Sequence, residues 1–224
     1  MFRQGLPNLI SGAVQQVIDA SGIHPAQVQW LIHTHTSQPH TMTGEAMLAQ
    51  LARRHGLRNA HTLGMTTNNC ASTILGLRAL ERLLAGADDA VWAILVVADI
   101  AFTPVLQIIP HSSVTGDAAV ACLVGRQDGR HRLLASRVDV YGQHARCQWQ
   151  REDENAEFEA EYPQRLARTM SLVLEQADVR WEDVRMVIPH NVNVFSWKKV
   201  AKCAGIPMDP VSYTHLTLPT ILRV

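Results

Sequence analysis

Cys70 is the residue whose surroundings in the sequence are most typical of a catalytic nucleophile. The polar run Thr-Thr-Asn-Asn at residues 66–69 leads into it, and a long apolar segment with helical spacing follows it. We therefore expect the thiol at a helix N-terminus, where backbone N–H groups and the helix dipole stabilise a thiolate relative to a thiol. The same N–H groups can bind the oxyanion that forms when the sulfur attacks an acyl carbonyl.

A histidine and two asparagines follow a second, mostly apolar run near the end of the chain. The run covers residues 184–188, and the segment Pro-His-Asn-Val-Asn at 189–193 comes directly after it. Cysteine, histidine and a nearby amide suit acyl transfer, so we predict that His190 is the catalytic partner of Cys70. A turn histidine bonded to the backbone is the alternative. Asn193 lies one helical turn beyond His190 and is predicted to orient this loop.

Three further histidines stand close together in the sequence. Alternation along a strand puts His33 and His35 on one side, and together with His40 they would supply three zinc ligands. No cysteine or carboxylate accompanies them at ligand spacing, and Glu45 lies on a separate predicted helix. We therefore predict no metal site, and a histidine-rich strand end near the pocket instead.

The composition is that of a globular protein without a strongly charged partner. Hydrophobic residues make up 47% of the chain, and 20 basic residues cancel 20 acidic ones, so neither nucleic acid nor a membrane is an expected partner. The cysteines are widely spaced and no signal segment is recognisable, which favours a reducing cytoplasm. The longest apolar stretch, Val91 to Ala98, is far shorter than the roughly 20 residues that span a bilayer.

Hydrophobic periodicity and turn residues predict alternating helices and strands. Helices are predicted over residues 9–18 with Gly22 as the stop, 43–54, 70–84, 164–176 and 192–203, strands at 29–36, 60–65, 91–98, 117–124, 133–140 and 184–188, and a surface loop at 146–161. The helix after Cys70 carries apolar residues over most of its surface and is predicted to be largely buried. The run 91–98 lacks polar alternation, as in a strand covered on both faces by helices.

Two parts of the chain repeat one pattern. The order of helix, turn, strand and polar exit from Val14 to Ile32 recurs from Met170 to Ile188 at a constant offset of 156 residues. We interpret the repeat as two related α/β halves. A chance match between two ordinary units of this kind is the alternative.

The order and spacing of four segments resemble the thiolase superfamily, most closely its ketoacyl-acyl-carrier-protein synthase III branch. The segments are Asn-Cys-Ala-Ser at 69–72, the apolar run at 91–98, Gly-Asp-Ala-Ala-Val-Ala at 116–121 and Ile-Pro-His-Asn-Val-Asn at 188–193. The resemblance implies an α/β, thiolase-like layered αβαβα fold with an incomplete second half, usually a homodimer. It divides the chain into an N-terminal half at 1–128 that lacks its first strand and helix, a partial C-terminal half at 129–208 and a non-native tail at 209–224.

The resemblance also implies a chemistry of fatty acid or polyketide biosynthesis. Cys70 would take an acyl group from acyl-CoA or from acyl carrier protein, with the thioesters as substrates and no resident cofactor. The family's histidine, which His190 matches, and a later asparagine then decarboxylate a malonyl thioester and condense the carbanion with the acyl-cysteine. Gly116 and Asp117 match the family's glycine-rich loop, which implies a substrate- or loop-orienting role for them.

A basic cluster follows the predicted catalytic histidine. Lys198, Lys199 and Lys202 lie on the last predicted helix. The family resemblance suggests that they dock an acidic carrier protein near the mouth of the pocket. A solvated helix face is an equally good interpretation.

Departures from the family's pattern define the alternatives. The family's Gly-Asp-Gly-Ala is Gly-Asp-Ala-Ala here, and no counterpart of the later catalytic asparagine follows Pro207. Residues 211–220 resemble translated vector or adapter DNA, so we interpret the sequence as a fragment cut at both ends and itself inactive. The rival hypotheses are acyl transfer from Cys70 to an alcohol or amine, with His190 as general base, and a non-catalytic remnant.

Overall fold

The computed structural model describes residues 5–36, 46–101, 103, 107–109, 113–126, 129–146, 150–189 and 194–206. It divides into two compact units, one comprising Met1–Gln107 and Thr115–Arg132 and the other Ile108–Val114 and Leu133–Val224. The division expected from the sequence between residues 128 and 129 stays a prediction. None of the described helices combines the length and the apolar character needed to cross a bilayer.

Helices and strands alternate along most of the first unit, whereas two helices dominate the second. In chain order the elements are α1 (Leu6–Ser21), β1 (Val28–Thr34), α2 (Met47–Arg54), β2 (His61–Met65), α3 (Ser72–Leu84), β3 (Trp92–Asp99), β4 (Ile108–Ile109), β5 (Ser113–Val114), β6 (Ala118–Val124), α4 (Glu152–Ala177) and α5 (Val194–Ala204). Strands β4 and β5 pair with each other in antiparallel fashion.

The first unit is built on a four-stranded sheet in the order β2-β1-β3-β6. Strand β1 pairs in parallel with β2 on one side and with β3 on the other, and β6 runs antiparallel to β3. Helices α1 and α2 pack with one set of strand residues, and α3 packs with the other set. The sheet is therefore covered on both faces along its central strands.

Strand β3 confirms the prediction made from its continuous apolar run. Ile94 and Val96 lie in the cluster formed with α1, whereas Ala93 and Leu95 lie in the cluster formed with α3. Because successive strand residues point to opposite faces, burial on both sides requires apolar residues at every position.

Helix α1 ends as its sequence predicts. Gly22 adopts a left-handed conformation with φ 67°, and its N–H donates to the carbonyl oxygen of Ile18. Glycine adopts this conformation without steric cost, which makes it the common residue after a helix.

The predicted repeat is confirmed at the helix end and the turn that follows it, but not at the strand. Helix α1 ends at Ser21 and α4 ends at Ala177, which is the offset of 156 residues, and each is followed by one left-handed residue, Gly22 or Asp178. A 3₁₀ turn then begins at Pro25 in the first unit and at the equivalent position in the second.

The predicted surface loop at 146–161 is wrong, because α4 begins at Glu152 and runs through that region. The N–H of Arg151 donates to Glu154 Oε2 at 2.9 Å, which satisfies an otherwise unpaired donor at the helix start. Acidic residues in the first turn also interact favourably with the helix dipole. The acidic composition that suggested a loop is therefore a helix-starting signal.

Two predicted strands are absent from the described residues. Residues 132–141 carry no helix or strand, and the segment 184–188 contains a single bridge at Val187. Leu134 and Ile188 are 56% and 82% exposed. A strand needs a hydrogen-bonded neighbour, and the apolar pattern of these segments does not itself supply one.

Helix α3 is less buried than predicted. Its buried positions are four residues apart, at Ser72, Gly76, Leu80 and Leu84, whereas Ile74 is 36% exposed. This spacing forms a single stripe along the helix, which faces β1 and β3. The remaining apolar residues of α3 lie outside the stripe and therefore stay partly exposed.

Gly76 allows α3 to lie close to the sheet. A Cβ atom at this position would come within 2.9 Å of Leu95 Cδ1 and of Thr34 Cγ2, whereas a Cβ at Gly12 of α1 would meet nothing within 4 Å. We expect Gly76→Ala to lower the free energy of unfolding by about 1–3 kcal/mol. The matched change Gly12→Ala should raise it by about 0.5–1 kcal/mol, because alanine restricts the unfolded chain and favours helix. Urea unfolding followed by circular dichroism measures both; equal effects would contradict the packing argument.

His33 is a buried histidine within this sheet. It is 3% exposed, and its Nε2–H donates to the carbonyl oxygen of Ala98 at 3.0 Å. Burial lowers the pKa of His33 below its ordinary value of 6.5, although the hydrogen bond to Ala98 partly offsets this effect. Below pH 6.5 the unfolded chain therefore binds the proton more readily than the folded chain, and stability decreases as the pH falls.

We expect the melting temperature to fall between pH 7 and pH 5, and His33→Gln to make that fall smaller. Glutamine retains an N–H donor but does not titrate. Burial also lowers the pKa of His55, so part of the pH dependence should remain. The control His131→Gln changes an exposed histidine and should leave the slope as in the parent chain. An unchanged slope in His33→Gln would show that this histidine does not cause the pH dependence.

Candidate functional site

Polar side chains collect at one edge of the sheet of the first unit. Strands β1, β2 and β3 are parallel, so their carboxyl ends meet there, and the antiparallel strand β6 begins at the same edge, where Ala118 pairs with Asp99. The loops at the carboxyl ends of parallel strands are the usual place for ligand sites in α/β proteins. This edge is therefore the candidate site of the described chain.

Cys70 lies on the connection from β2 to α3, at this edge. A 3₁₀ turn at Asn69–Ala71 contains the cysteine and leads directly into α3. The turn begins with Asn69 in the left-handed region at φ 48°, which redirects the chain from the strand into the helix. The N–H of Asn68 donates to Ser72 Oγ at 3.2 Å and holds the two ends of the turn together. The thiol thus precedes the first α-helical turn, and it is exposed.

Thr36 is the residue that approaches the sulfur from β1. Its Oγ1 lies 3.5 Å from Cys70 Sγ, and its N–H donates to Asp99 Oδ2 at 2.7 Å. Sequence reasoning missed both Thr36 and Asp99. The available signal was their position, because each is a polar residue at or directly after the carboxyl end of a predicted strand.

His33 and His35 lie beside this group as a stacked pair. Their ring centroids are 4.6 Å apart, and His33 is neutral near pH 7 because burial lowers its pKa. The third histidine of the sequence cluster, His40, lies outside the described residues. Within the described ranges no group of three histidine, cysteine or acidic side chains is arranged to hold a metal ion.

Gly116 and Asp117 begin the segment that enters β6. Asp117 Oδ1 accepts a hydrogen bond of 2.8 Å from the N–H of Ala101, so the carboxylate ties the connection after β3 to the start of β6. A Cβ at Gly116 would meet nothing within 4 Å, so the surrounding packing does not demand glycine. The loop-orienting roles expected of these two residues stay predictions.

The second unit holds the other predicted site residues. His190 and Asn193 lie outside the described residues, between the buried Pro189 and the start of α5 at Val194, and their roles stay predictions. Trp197 and Val200 anchor α5 to α4 through an apolar cluster.

The three lysines of α5 are exposed on the helix that this cluster anchors. Lys198, Lys199 and Lys202 all face solvent, and Lys198 Nζ lies 5.8 Å from the centre of the Phe195 ring. The position is compatible with docking and with a solvated helix face alike, so the docking role stays a prediction.

No protein-family model matches this sequence, and no curated protein is similar to it in sequence. Solved structures are similar in fold. The acyltransferase ChlB3 superposes with a TM-score of 0.81 at 18% identity, over 95% of this chain and 70% of that chain. FabH, the 3-oxoacyl-(acyl carrier protein) synthase III of Pseudomonas aeruginosa PAO1, gives a TM-score of 0.71 at 21% identity, over 93% and 67%. AbyA1, a tetronic acid condensing enzyme, gives 0.68 at 16% identity, over 95% and 71%.

These similarities extend over nearly the whole chain, although the sequences have diverged widely. They confirm the predicted α/β class and its resemblance to thiolase-like proteins. The chain has the thiolase-type fold found in 3-oxoacyl-(acyl carrier protein) synthase III and related condensing enzymes.

Proposed function

We propose that this chain belongs to an acyl-thioester condensing enzyme in which Cys70 is the acyl acceptor. The observation that carries the proposal is an exposed thiol directly before α3, at the carboxyl edge of parallel strands. Proteins of the same fold include condensing enzymes and an acyltransferase. An accessible thiol next to backbone dipoles has the properties that a nucleophile for thioesters requires.

The first half-reaction transfers the acyl group to the protein. The Cys70 thiolate attacks the carbonyl carbon of acyl-CoA or acyl carrier protein, and the Cys70 N–H is one donor to the resulting oxyanion. The tetrahedral intermediate then expels the thiolate of the carrier, which takes up a proton. The product is a thioester between the acyl group and Cys70.

The second half-reaction forms the carbon–carbon bond. A malonyl thioester loses carbon dioxide, and the enolate that remains attacks the acyl-cysteine carbonyl and releases the Cys70 thiolate. His190 would donate its Nε2–H to the enolate oxygen, which requires a neutral imidazole, and an asparagine later in the protein would be the second donor. The proposal includes a homodimer in the cytoplasm and no resident cofactor.

Acyl transfer without condensation is the second candidate, favoured by the TM-score of 0.81 with the acyltransferase ChlB3. In this reaction the acyl group passes from Cys70 to an alcohol or amine, and His190 acts as general base. The two reactions differ in one product, because only condensation releases carbon dioxide from a malonyl thioester. Measuring that release with carboxyl-labelled malonyl thioester therefore separates them.

We expect radiolabelled acetyl-CoA to leave a covalent acetyl group on Cys70 of the intact parent protein and on no other residue. Digestion and mass spectrometry locate the label. Cys70→Ala should remove at least about nine-tenths of it, because an alanine side chain carries no nucleophile. Cys122→Ala and Cys203→Ala are matched controls, since both cysteines are also exposed, and they should retain the label. Label on another residue in the parent chain would reject the proposed acceptor.

The lysines of α5 allow a separate test of carrier-protein docking. They are the only lysines within residues 1–224, so lysine modification that is mapped to this segment reports on this helix alone. We expect acyl carrier protein to protect them from modification. Changing all three to glutamate should weaken carrier binding by about tenfold or more at low salt, because opposite charges across a docking surface are lost. Changing all three to arginine keeps the charge and should preserve binding; equal weakening in both variants would contradict an electrostatic role.

A further inference from the structure

Thr36 is held by hydrogen bonds on both sides of its backbone. Its N–H donates to Asp99 Oδ2 at 2.7 Å, at the end of β3, and its carbonyl oxygen accepts from Thr66 Oγ1 at 3.2 Å, just after β2. The residue lies between the two neighbouring strand ends and is fixed by both. Its side chain points toward the turn before α3, where Oγ1 lies 3.5 Å from Cys70 Sγ.

The groups that hold Thr36 are themselves anchored. Asp99 is the last residue of β3, where it pairs with Ala118, and the preceding residue Ala98 accepts the hydrogen bond from His33. Thr66 follows β2 directly, and the N–H of His35 donates to the carbonyl oxygen of Met65 at 3.1 Å. The hydroxyl of Thr36 is therefore presented to the sulfur from a hydrogen-bonded sheet edge.

The Thr36 hydroxyl interacts differently with the two forms of the thiol. Toward a neutral thiol either partner can donate, whereas toward a thiolate only the hydroxyl can, because the sulfur has no proton. Hydrogen bonds to charged acceptors are stronger than those between neutral groups. The contact therefore stabilises the thiolate more than the thiol and favours loss of the proton.

The titratable groups at this edge make the Thr36 hydroxyl important for the ionisation of Cys70. His33 on β1 is neutral because burial lowers its pKa, and His35 stacks on it. Asp99 at the end of β3 and Asp117 before β6 bring acidic side chains to this edge, and a carboxylate close to a sulfur disfavours its thiolate. A neutral donor that touches the sulfur opposes their effect.

We infer that Thr36 is a positioning residue that stabilises the Cys70 thiolate through its hydroxyl, with Asp99 and Thr66 holding it in place. The inference rests on the proposed function only in taking Cys70 as the reacting thiol. In the acylation step Thr36 Oγ1 donates to the sulfur before attack, and this hydrogen bond weakens as the carbon–sulfur bond forms. Thr36 itself exchanges no proton and forms no covalent bond.

The test is the pH dependence of Cys70 alkylation by iodoacetamide, in which the thiolate displaces iodide. Peptide mass spectrometry follows Cys70 and, as an internal reference, the exposed Cys122. We expect Thr36→Val to slow alkylation of Cys70 at pH 7 by about threefold to tenfold and to move the midpoint to higher pH, since a hydrogen bond to a charged group is lost. Thr36→Ser retains the hydroxyl and should react at the parent rate.

A second variant covers the possibility that valine disturbs the fold. Thr36→Ala removes the hydroxyl without placing a methyl group against the sulfur, and it should shift the midpoint in the same direction. Unchanged midpoints in both the valine and alanine variants would overturn the inference, as would equal shifts in valine and serine. Alkylation needs no acyl-CoA, so a shifted midpoint without an acetyl label on Cys70 of the intact parent protein disproves the proposed function and leaves the role of Thr36 standing. An acetyl label on Cys70 without a shifted midpoint supports the proposed function and overturns the role of Thr36.

Discussion

The parallel pairing of β1 with both of its neighbours determines what meets at the candidate site. Thr34 lies opposite Met65 of β2 and opposite Val97 of β3, so the residues that follow these three strands emerge side by side. A shift of one residue in either pairing would move every side chain of β1 to the other face of the sheet. It would also separate Thr36 from Asp99 and Thr66, which hold it through hydrogen bonds. The geometry around Cys70 is therefore a consequence of strand register.

The position of Cys70 depends in turn on how close α3 lies to the sheet. Gly76 faces Thr34 and Leu95 at a distance that leaves no room for a Cβ atom, and the hydroxyls of Thr34 and Thr73 are 3.4 Å apart nearby. Because Cys70 directly precedes this helix, any outward movement of α3 would carry the sulfur away from β1. Close packing at Gly76 thus supports a polar contact of Cys70, which precedes it in the sequence by six residues.

Features encoded by neighbouring residues could be predicted from the sequence, and features that need distant partners could not. The end of α1 at Gly22, the buried strand β3 and the turn around Cys70 each have a local signal. The prediction of strands at 133–140 and 184–188 was wrong, because apolar alternation indicates a preference for extended structure but does not supply a neighbouring strand to pair with. The start of α4 was missed because acidic residues were assigned to solvent and not to a helix start.

The same distinction explains why only part of the candidate site was found. Cys70 was recognisable from the residues on either side of it, whereas Thr36 reaches it across 34 positions in the sequence and Asp99 reaches Thr36 across 63. The described groups that contact or hold Thr36 at this edge are the thiol, a carboxylate, a hydroxyl and backbone amides. Dipoles stabilise an anion only when they are held in the correct orientation, since a freely rotating hydroxyl offers the sulfur no more than water does. A site that stabilises its thiolate with dipoles therefore requires the hydrogen bonds to Asp99 and Thr66, because they hold the Thr36 hydroxyl in place. A site that stabilises its thiolate with a cation would not require them.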